Sequence, residues 1–257
     1  MSGAADVSAR LARVERLVEA ARLEPDALTA LAACLGDPDR AVRRRAADGF
    51  VALGRRGVAV RATLERTLLG ASPGARAAAA FALAELGDPS SGCLRVLYES
   101  LGADDGDQRW GAAERLAPLA AHPEVEAALC ALVAAGTPPQ RRMALYCLRE
   151  AAGWSARCEA TARAALADPE AAVRLAALST LGRRATDRRA AAQAVLPLLL
   201  DPAAGVRRAA AVALGTLGVA DPEVTARLEA AAASADDALG RAAARALAEL
   251  ARRAGRR

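Results

Sequence analysis

A short phrase returns every 33 residues or so, and nothing else in the chain constrains its fold as strongly. The stretches AVRRRAADGFVALG (41–54), GARAAAAFALAELG (74–87), QRWGAAERLAPL (108–119), QRRMALYCLREA (140–151), AVRLAALSTLG (172–182), GVRRAAAVALGTLG (205–218) and LGRAAARALAEL (239–250) align on one anchor position. That anchor is Arg43, Arg76, Arg109, Arg141, Arg174, Arg207 and finally Gly240, at spacings of 33, 33, 32, 33, 33 and 33. Three residues on there is always alanine, from Ala46 to Ala243, and seven on there is Phe50 and then leucine six times. A unit this short cannot bury an apolar face alone, so such units fold by stacking on one another.

Each repeat reads as two helices. Apolar residues recur at helical spacing in the first, as in Leu28, Leu31, Ala32 and Leu35, or Leu196, Leu199 and Leu200. Breakers follow at Asp37-Pro38, Ser72-Pro73, Thr137-Pro138-Pro139, Asp168-Pro169 and Asp201-Pro202, where Asp or Ser can cap the next helix. The second helix carries the anchor and is expected to end near a glycine such as Gly54, Gly87 or Gly218. At about 100° per residue, offsets −1, +3, +7 and +10 from the anchor share a core-facing side, and +1, +5 and +8 the opposite side. The constant alanine marks the closest approach of helices, with the leucine four residues later filling the layer.

Composition agrees. Hydrophobic residues make up 54% of the chain but aromatics only 2%, and there is no isoleucine, so the apolar mass is Ala, Leu and Val. That suits close-packed helices and not a β-rich core. All 35 basic residues are arginine, which weakens the net charge of +5 as a sign of a nucleic-acid partner. The excess sits in residues 151–257, with 16 Arg against 11 acids, whereas residues 1–150 balance at 19 each. Five cysteines (Cys34, Cys93, Cys130, Cys147, Cys158) without a CxxC pair read as buried thiols in a reducing compartment. No uninterrupted apolar run approaches the ~18 residues of a membrane span, and no apolar signal core opens the chain, so a cytoplasmic protein without membrane contact is expected.

The Asp-Pro-x-x-x-Val-Arg phrase followed by Ala and Leu-Gly, as in DPDRAVRRRAADGFVALG, DPEAAVRLAALSTLG and DPAAGVRRAAAVALGTLG, resembles HEAT repeats, closest to the short phycobilisome-lyase type. The resemblance spans about residues 26–250 and implies an all-α fold: a right-handed α-α superhelix, a HEAT/armadillo-like solenoid of about seven two-helix repeats. Residues 1–257 then form one solenoid, with 1–25 as an N-terminal capping helix, 26–250 as the repeats and 251–257 (with Arg252, Arg253, Arg256 and Arg257) as a basic tail. In that family the Asp before the second helix and the Arg within it form a ladder along the stack. Asp37/Arg43, Asp168/Arg174 and Asp201/Arg207 match it; Arg76, Arg109 and Arg141 extend the column as structural residues, and the ladder is expected to break at repeats two and four, which lack the Asp.

Function is sought on the side opposite the core. The +1 column is Arg44, Ala77, Trp110, Arg142, Leu175, Arg208 and Arg241; the +5 column is Asp48, Phe81, Glu114, Tyr146, Ser179, Val212 and Arg245. Three of the chain's six aromatics fall in these columns in consecutive repeats. Phe81, Trp110 and Tyr146, flanked by Glu114, Arg142 and Arg149, are therefore expected to form a partner-binding aromatic patch on the concave face, since Trp, Tyr and Arg dominate binding hot spots. The competing account tucks the rings between repeats as packing. Trp154, in the turn after repeat four, either extends the patch or closes a helix pair. Further along, Arg208, Arg241 and Arg245 make a basic stretch able to meet a polyanion, with Arg183, Arg184, Arg188 and Arg189 in or near a turn.

Without lysine there is no P-loop lysine or Schiff base, and the single histidine, His122 in a turn, cannot supply paired metal ligands. No cofactor and no metal are expected. One enzymatic alternative survives: Trp110 and Glu114 with Arg142 and Arg149 faintly resemble the site of HEAT-like alkylpurine DNA glycosylases, although that family uses Asp where Glu114 stands and a second tryptophan absent here. The expectation is a monomeric, non-enzymatic scaffold or adaptor binding a protein or peptide. Nucleic-acid binding stands second, and a lyase-accessory or chaperone-like role third.

Overall fold

The computed structural model describes residues 2–21, 24–70, 72–87 and 89–254, and all regular structure among them is helical. Fifteen α-helices follow one another: α1 (Ser2–Ala20), α2 (Pro25–Cys34), α3 (Arg40–Arg55), α4 (Arg61–Leu68), α5 (Pro73–Glu85), α6 (Ser91–Ser100), α7 (Gly106–Leu119), α8 (Pro123–Ala135), α9 (Pro138–Glu150), α10 (Ala156–Ala164), α11 (Ala171–Arg184), α12 (Arg188–Val195), α13 (Ala204–Leu217), α14 (Pro222–Ala232) and α15 (Asp237–Ala254). From α2 onward they pair into seven two-helix repeats, an all-α repeat fold of the solenoid class. The chain divides into two compact units, Met1–Arg115 and Leu116–Arg257, with the division falling inside α7.

In the first unit α1 packs on α2 and α3, α3 on α5, and α4 on α5 and α6. In the second, α9, α11, α13 and α15 pack in succession, and α8 and α14 back α9 and α15. The alanine column explains why second helices stack so closely. Ala46, Ala79, Ala112, Ala144, Ala177, Ala210 and Ala243 are all fully buried, and a methyl group is the most such a contact admits. Phe50, Leu83, Leu116, Leu148, Leu181 and Leu214 fill the layer beside them; Leu247 at the last such position is only half-buried.

The helix starts use two devices. Ser72 and Thr137 stand at the N-cap: the Ser72 hydroxyl accepts from the Ala75 N–H at 3.3 Å, and the Gln140 side chain accepts from the Thr137 N–H at 3.0 Å. The Asp-Pro repeats differ from the expected cap. Asp37, Asp168 and Asp201 sit two residues before the N-cap, each accepting the N–H two residues on, at 2.8, 2.9 and 2.8 Å. This turn leaves the rest of each carboxylate free to face a different helix.

That free side makes the ladder, and its rungs join neighbouring repeats. Asp168 accepts from Arg141 Nε and Nη2 at 2.7 and 2.8 Å, and Asp201 from Arg174 in the same two-pronged way at 2.7 and 2.8 Å. Arg207 reaches Asp236 at 2.7 Å. Within its own repeat the Nη1 of Arg141, Arg174 and Arg207 instead donates to backbone carbonyl oxygens, as Arg174 does to Asp168 and Pro169 at 2.8 and 2.9 Å. Burial alone would raise the carboxyl pKa of Asp168 and Asp201, but the hydrogen bonds from Arg141 and Arg174, those from the Glu170 and Ala203 N–H groups and the nearby arginine charges together outweigh it and hold both below the ordinary range. Repeat four, expected to break the ladder, does not: Arg141 pairs with the following Asp168. The gaps fall earlier. Among the described residues Arg43 and Arg109 meet only backbone carbonyls, of Asp37 and Pro38 and of Ala103 and Asp104, while Arg76 turns to Glu99 at 2.7 Å.

Four further expectations change. Arg10, 33 residues before Arg43, pairs with Asp37 at 2.6 Å, so α1 carries an anchor of its own. Gly54 lies inside α3; Gly57 takes the left-handed position after it with φ of 86°, as Gly87 and Gly218 do after α5 and α13. Pro197 ends α12, and Leu196–Leu200 winds as a 3-10 segment whose tighter turn leaves Leu200 exposed. Arg252 and Arg253 belong to the last turn of α15, and Arg256 and Arg257 lie outside the described residues. No described helix is long and apolar enough to cross a membrane.

Candidate binding grooves

The +1 and +5 columns line a groove in each compact unit. In the first unit, α3, α5 and α7 enclose about 790 Å³, with Arg44, Asp48, Ala77, Phe81, Trp110 and Glu114 on the walls and floor. Trp110 is 46% exposed there. Phe81 is half-buried: the Arg115 guanidinium lies over its ring at 4.7 Å and donates from Nε to the Phe81 carbonyl at 3.3 Å. A Cβ at residue 111 would stand 2.9 Å from the Phe81 ring, so Gly111 is what lets the ring settle against α7. Arg115 also pairs with Glu85 at 3.3 Å, and Arg40 pairs with Asp107 at the groove's end. Arg44, Asp48 and Glu114 stay exposed, giving a mouth of mixed charge around one large ring.

Arg115 was not legible as a site residue because offset +6 lies outside both columns. Its reach comes from the length of the side chain, which carries the cation across to the neighbouring repeat.

The remaining aromatic-cluster residues, Arg142, Tyr146 and Arg149, belong to the second unit. Tyr146 is half-buried beneath Arg149, whose guanidinium lies 5.0 Å from the ring centre. Arg149 is further held by Glu150 at 2.8 Å and Ser179 at 2.7 Å. Trp154 closes a helix pair: Arg184 lies over its ring at 5.5 Å, and Nε1 donates to Glu159 at 3.3 Å. Buried Glu159 also accepts from the Thr186 hydroxyl and the N–H groups of Thr186 and Asp187, at 3.0 and 3.1 Å for the latter two. Burial would raise its pKa, yet these bonds together hold it below the usual carboxylate range, so this buried acid is a structural tie.

The second groove, of about 980 Å³, lies between α11, α13 and α15. Leu175, Val212, Ala209, Ala213, Ala242 and Ala246 make its floor, and Arg208, Arg241 and Arg245 rise from its walls. The other basic residues flagged nearby are engaged: Arg183 with Glu150, Arg184 with the carbonyls of Ala151 and Gly153, Arg188 with that of Leu217, and Arg189 with Asp221.

All five cysteines are buried thiols. Burial pushes Cys93 and Cys147 up to about 12. Interaction between the Cys130 and Cys158 thiols lowers the pKa of the first and, with burial, raises that of the second. Among the described residues no three His, Cys, Asp or Glu side chains gather as metal ligands would.

Residues 159–248 match the family model for HEAT repeats. Among solved structures, the X-ray structure of E. coli YibA shares 18% identity, with 93% of this chain and 96% of that one covered and a TM-score of 0.52. A human deoxyhypusine hydroxylase in complex with glycerol shares 19% identity over 97% of this chain and 100% of that one, at a TM-score of 0.42. A designed armadillo repeat protein in complex with the peptide (KR)4 shares 16% over 87% and 99%, at 0.44. No curated protein matches the chain in sequence.

Proposed function

With a chain built of HEAT repeats as the premise, we propose that it is a non-enzymatic scaffold or adaptor that holds a protein or peptide partner in the groove between α3, α5 and α7. One observation carries the proposal: Trp110 stands 46% exposed inside a groove of about 790 Å³ in a chain with only two tryptophans. A large ring so exposed in a concave, mixed-charge setting is the anchor that binding surfaces use most. Phe81, clamped by Arg115, gives the floor a second, rigid apolar surface. Glu114, Asp48 and Arg44 supply charges for orientation.

A lysine-free chain with one histidine supports the non-enzymatic reading, as does the engagement of Arg149 by Glu150 and Ser179, which leaves it poorly placed to serve a damaged nucleotide. Tyr146 under Arg149 extends the proposal as a second aromatic surface in the other unit. Cytoplasmic placement and a monomeric state complete the reading; five buried thiols, none of them in a disulfide, support the first.

The test is selection of binding peptides from a random display library against the full chain, followed by calorimetric titration. Trp110→Ala is expected to weaken selected peptides by about 2 kcal/mol or more, with thermal stability little changed. A selection that yields no peptide weakened by Trp110→Ala would sink the proposal.

A further inference from the structure

The groove between α11, α13 and α15 differs in chemistry from the one that holds Trp110. Among the described residues its only lining carboxylate, Glu249, is already taken by Arg252 and Arg253, at 2.9 Å for the latter. Arg208, Arg241 and Arg245 are exposed and make no hydrogen bond or ion pair among the described residues. Three unpaired guanidinium groups on neighbouring helices repel one another and lower the cost of bringing in negative charge. Between them the floor is aliphatic. Val212, one turn along α13 from Arg208, is 55% exposed, and half-buried Leu175 lies beside it on α11.

These two features select the occupant. A small anion would use the arginines and leave an aliphatic floor within about 980 Å³ unfilled. A single nucleic-acid strand would look for aromatic faces on which its bases stack, and none lines this groove. An amphipathic helix that sets carboxylates on either side of an aliphatic stripe answers both, with the acids on the arginine walls and a Leu or Val on Val212 and Leu175.

We propose that this groove docks an acidic amphipathic helical segment of a partner protein, its carboxylates on Arg208, Arg241 and Arg245 and its aliphatic face on Val212 and Leu175. This goes beyond the function proposed above and does not rest on it, because no residue is shared between the two grooves. A carboxylate held by a guanidinium is also the geometrically favoured pairing for arginine, which offers its donors in a planar fork.

The test uses a panel of fluorescein-labelled synthetic helices of about 18 residues, long enough for several turns, with Leu at i, i+4 and i+7 and Glu at the flanking positions. A matched panel carries Gln for each Glu, a second carries Ser for each Leu, and a labelled single-stranded oligonucleotide serves as the nucleic-acid probe. Fluorescence anisotropy with the full chain is expected to show binding of the Glu/Leu panel at least about tenfold tighter than either matched panel. The combined variant Arg208→Ala, Arg241→Ala and Arg245→Ala is expected to weaken it about tenfold or more, Val212→Ser severalfold, and Trp110→Ala not at all. All five altered positions are exposed, and circular dichroism of each variant confirms the fold before binding is read. Equal affinity for the Glu and Gln panels overturns the proposal. So does an oligonucleotide that outbinds every peptide and ignores Val212→Ser, which would assign the groove to nucleic acid. Loss on Trp110→Ala alone would return all binding to the first groove and also count against it.

Discussion

Removing Asp201 tests whether the ladder holds the repeats together. Its side chain is 6% exposed and accepts three hydrogen bonds: from Arg174 Nε and Nη2 at 2.7 and 2.8 Å, and from the Ala203 N–H at 2.8 Å. Deleting one partner of a well-buried ion pair costs about 3–5 kcal/mol, because the other charge stays desolvated. Arg174 retains its Nη1 bonds to the carbonyls of Asp168 and Pro169, so some of its charge remains solvated by the protein. Asp201→Ala is therefore expected near the lower end, about 3 kcal/mol, with Arg174→Ala similar. The exposed pair Arg189–Asp221, whose arginine is 79% exposed, is the control: Arg189→Ala should cost about 0–0.5 kcal/mol.

The assay is urea denaturation followed by Trp154 fluorescence in a Trp110→Phe background, so that the signal comes from the second unit alone. An unchanged denaturant slope allows the midpoint shift to be read as stability. The double variant Arg174→Ala with Asp201→Ala then completes a cycle, with an expected coupling of about 2 kcal/mol. A coupling under about 0.5 kcal/mol would refute the reasoning and reduce the rungs to surface decoration.

Two further outcomes follow from the same structure. The carboxyl groups of Asp168 and Asp201 are held below their unfolded values, so their contribution is fully present above the ordinary Asp range, about 3.9, and is lost as pH falls through the folded values; urea midpoints should drop below about pH 4, and less steeply in Asp201→Asn. Ala177→Leu, which forces three more carbons into a fully buried contact on α11, should cost about 1–3 kcal/mol in thermal or urea denaturation, whereas Ala172→Leu at an exposed position of that helix should stay within about 0.5 kcal/mol.

The period made most of the fold readable. Seven alanines and six of the seven large residues at offset +7 are buried where a helix wheel puts them, because side-chain direction on a helix follows residue number alone. Most residues of the two columns that the same arithmetic picks out line a groove; Arg142 and Tyr146 line neither. What offsets could not give was contact between repeats. The Asp-Arg rungs were assigned within one repeat because Asp201 and Arg207 are near in sequence, yet the carboxylate turns to Arg174, 27 residues earlier. Arg115 over Phe81 and the four bonds on Glu159 escaped for the same reason: long side chains and loop hydroxyls leave no periodic trace. Leu200 misled because Pro197 changes the winding, and three residues per turn is not the beat that was being counted.

Each rung between Arg141 and Asp168, and between Arg174 and Asp201, spans the same 27 residues, while the whole phrase recurs after 33. Excising any stretch of one full period between those rungs, or inserting a copy of it, therefore delivers an aspartate to the vacated arginine at unchanged distance along the chain. Length in this part of the molecule can be edited in whole steps without severing its ties, and a cut of any other size leaves a guanidinium facing a gap.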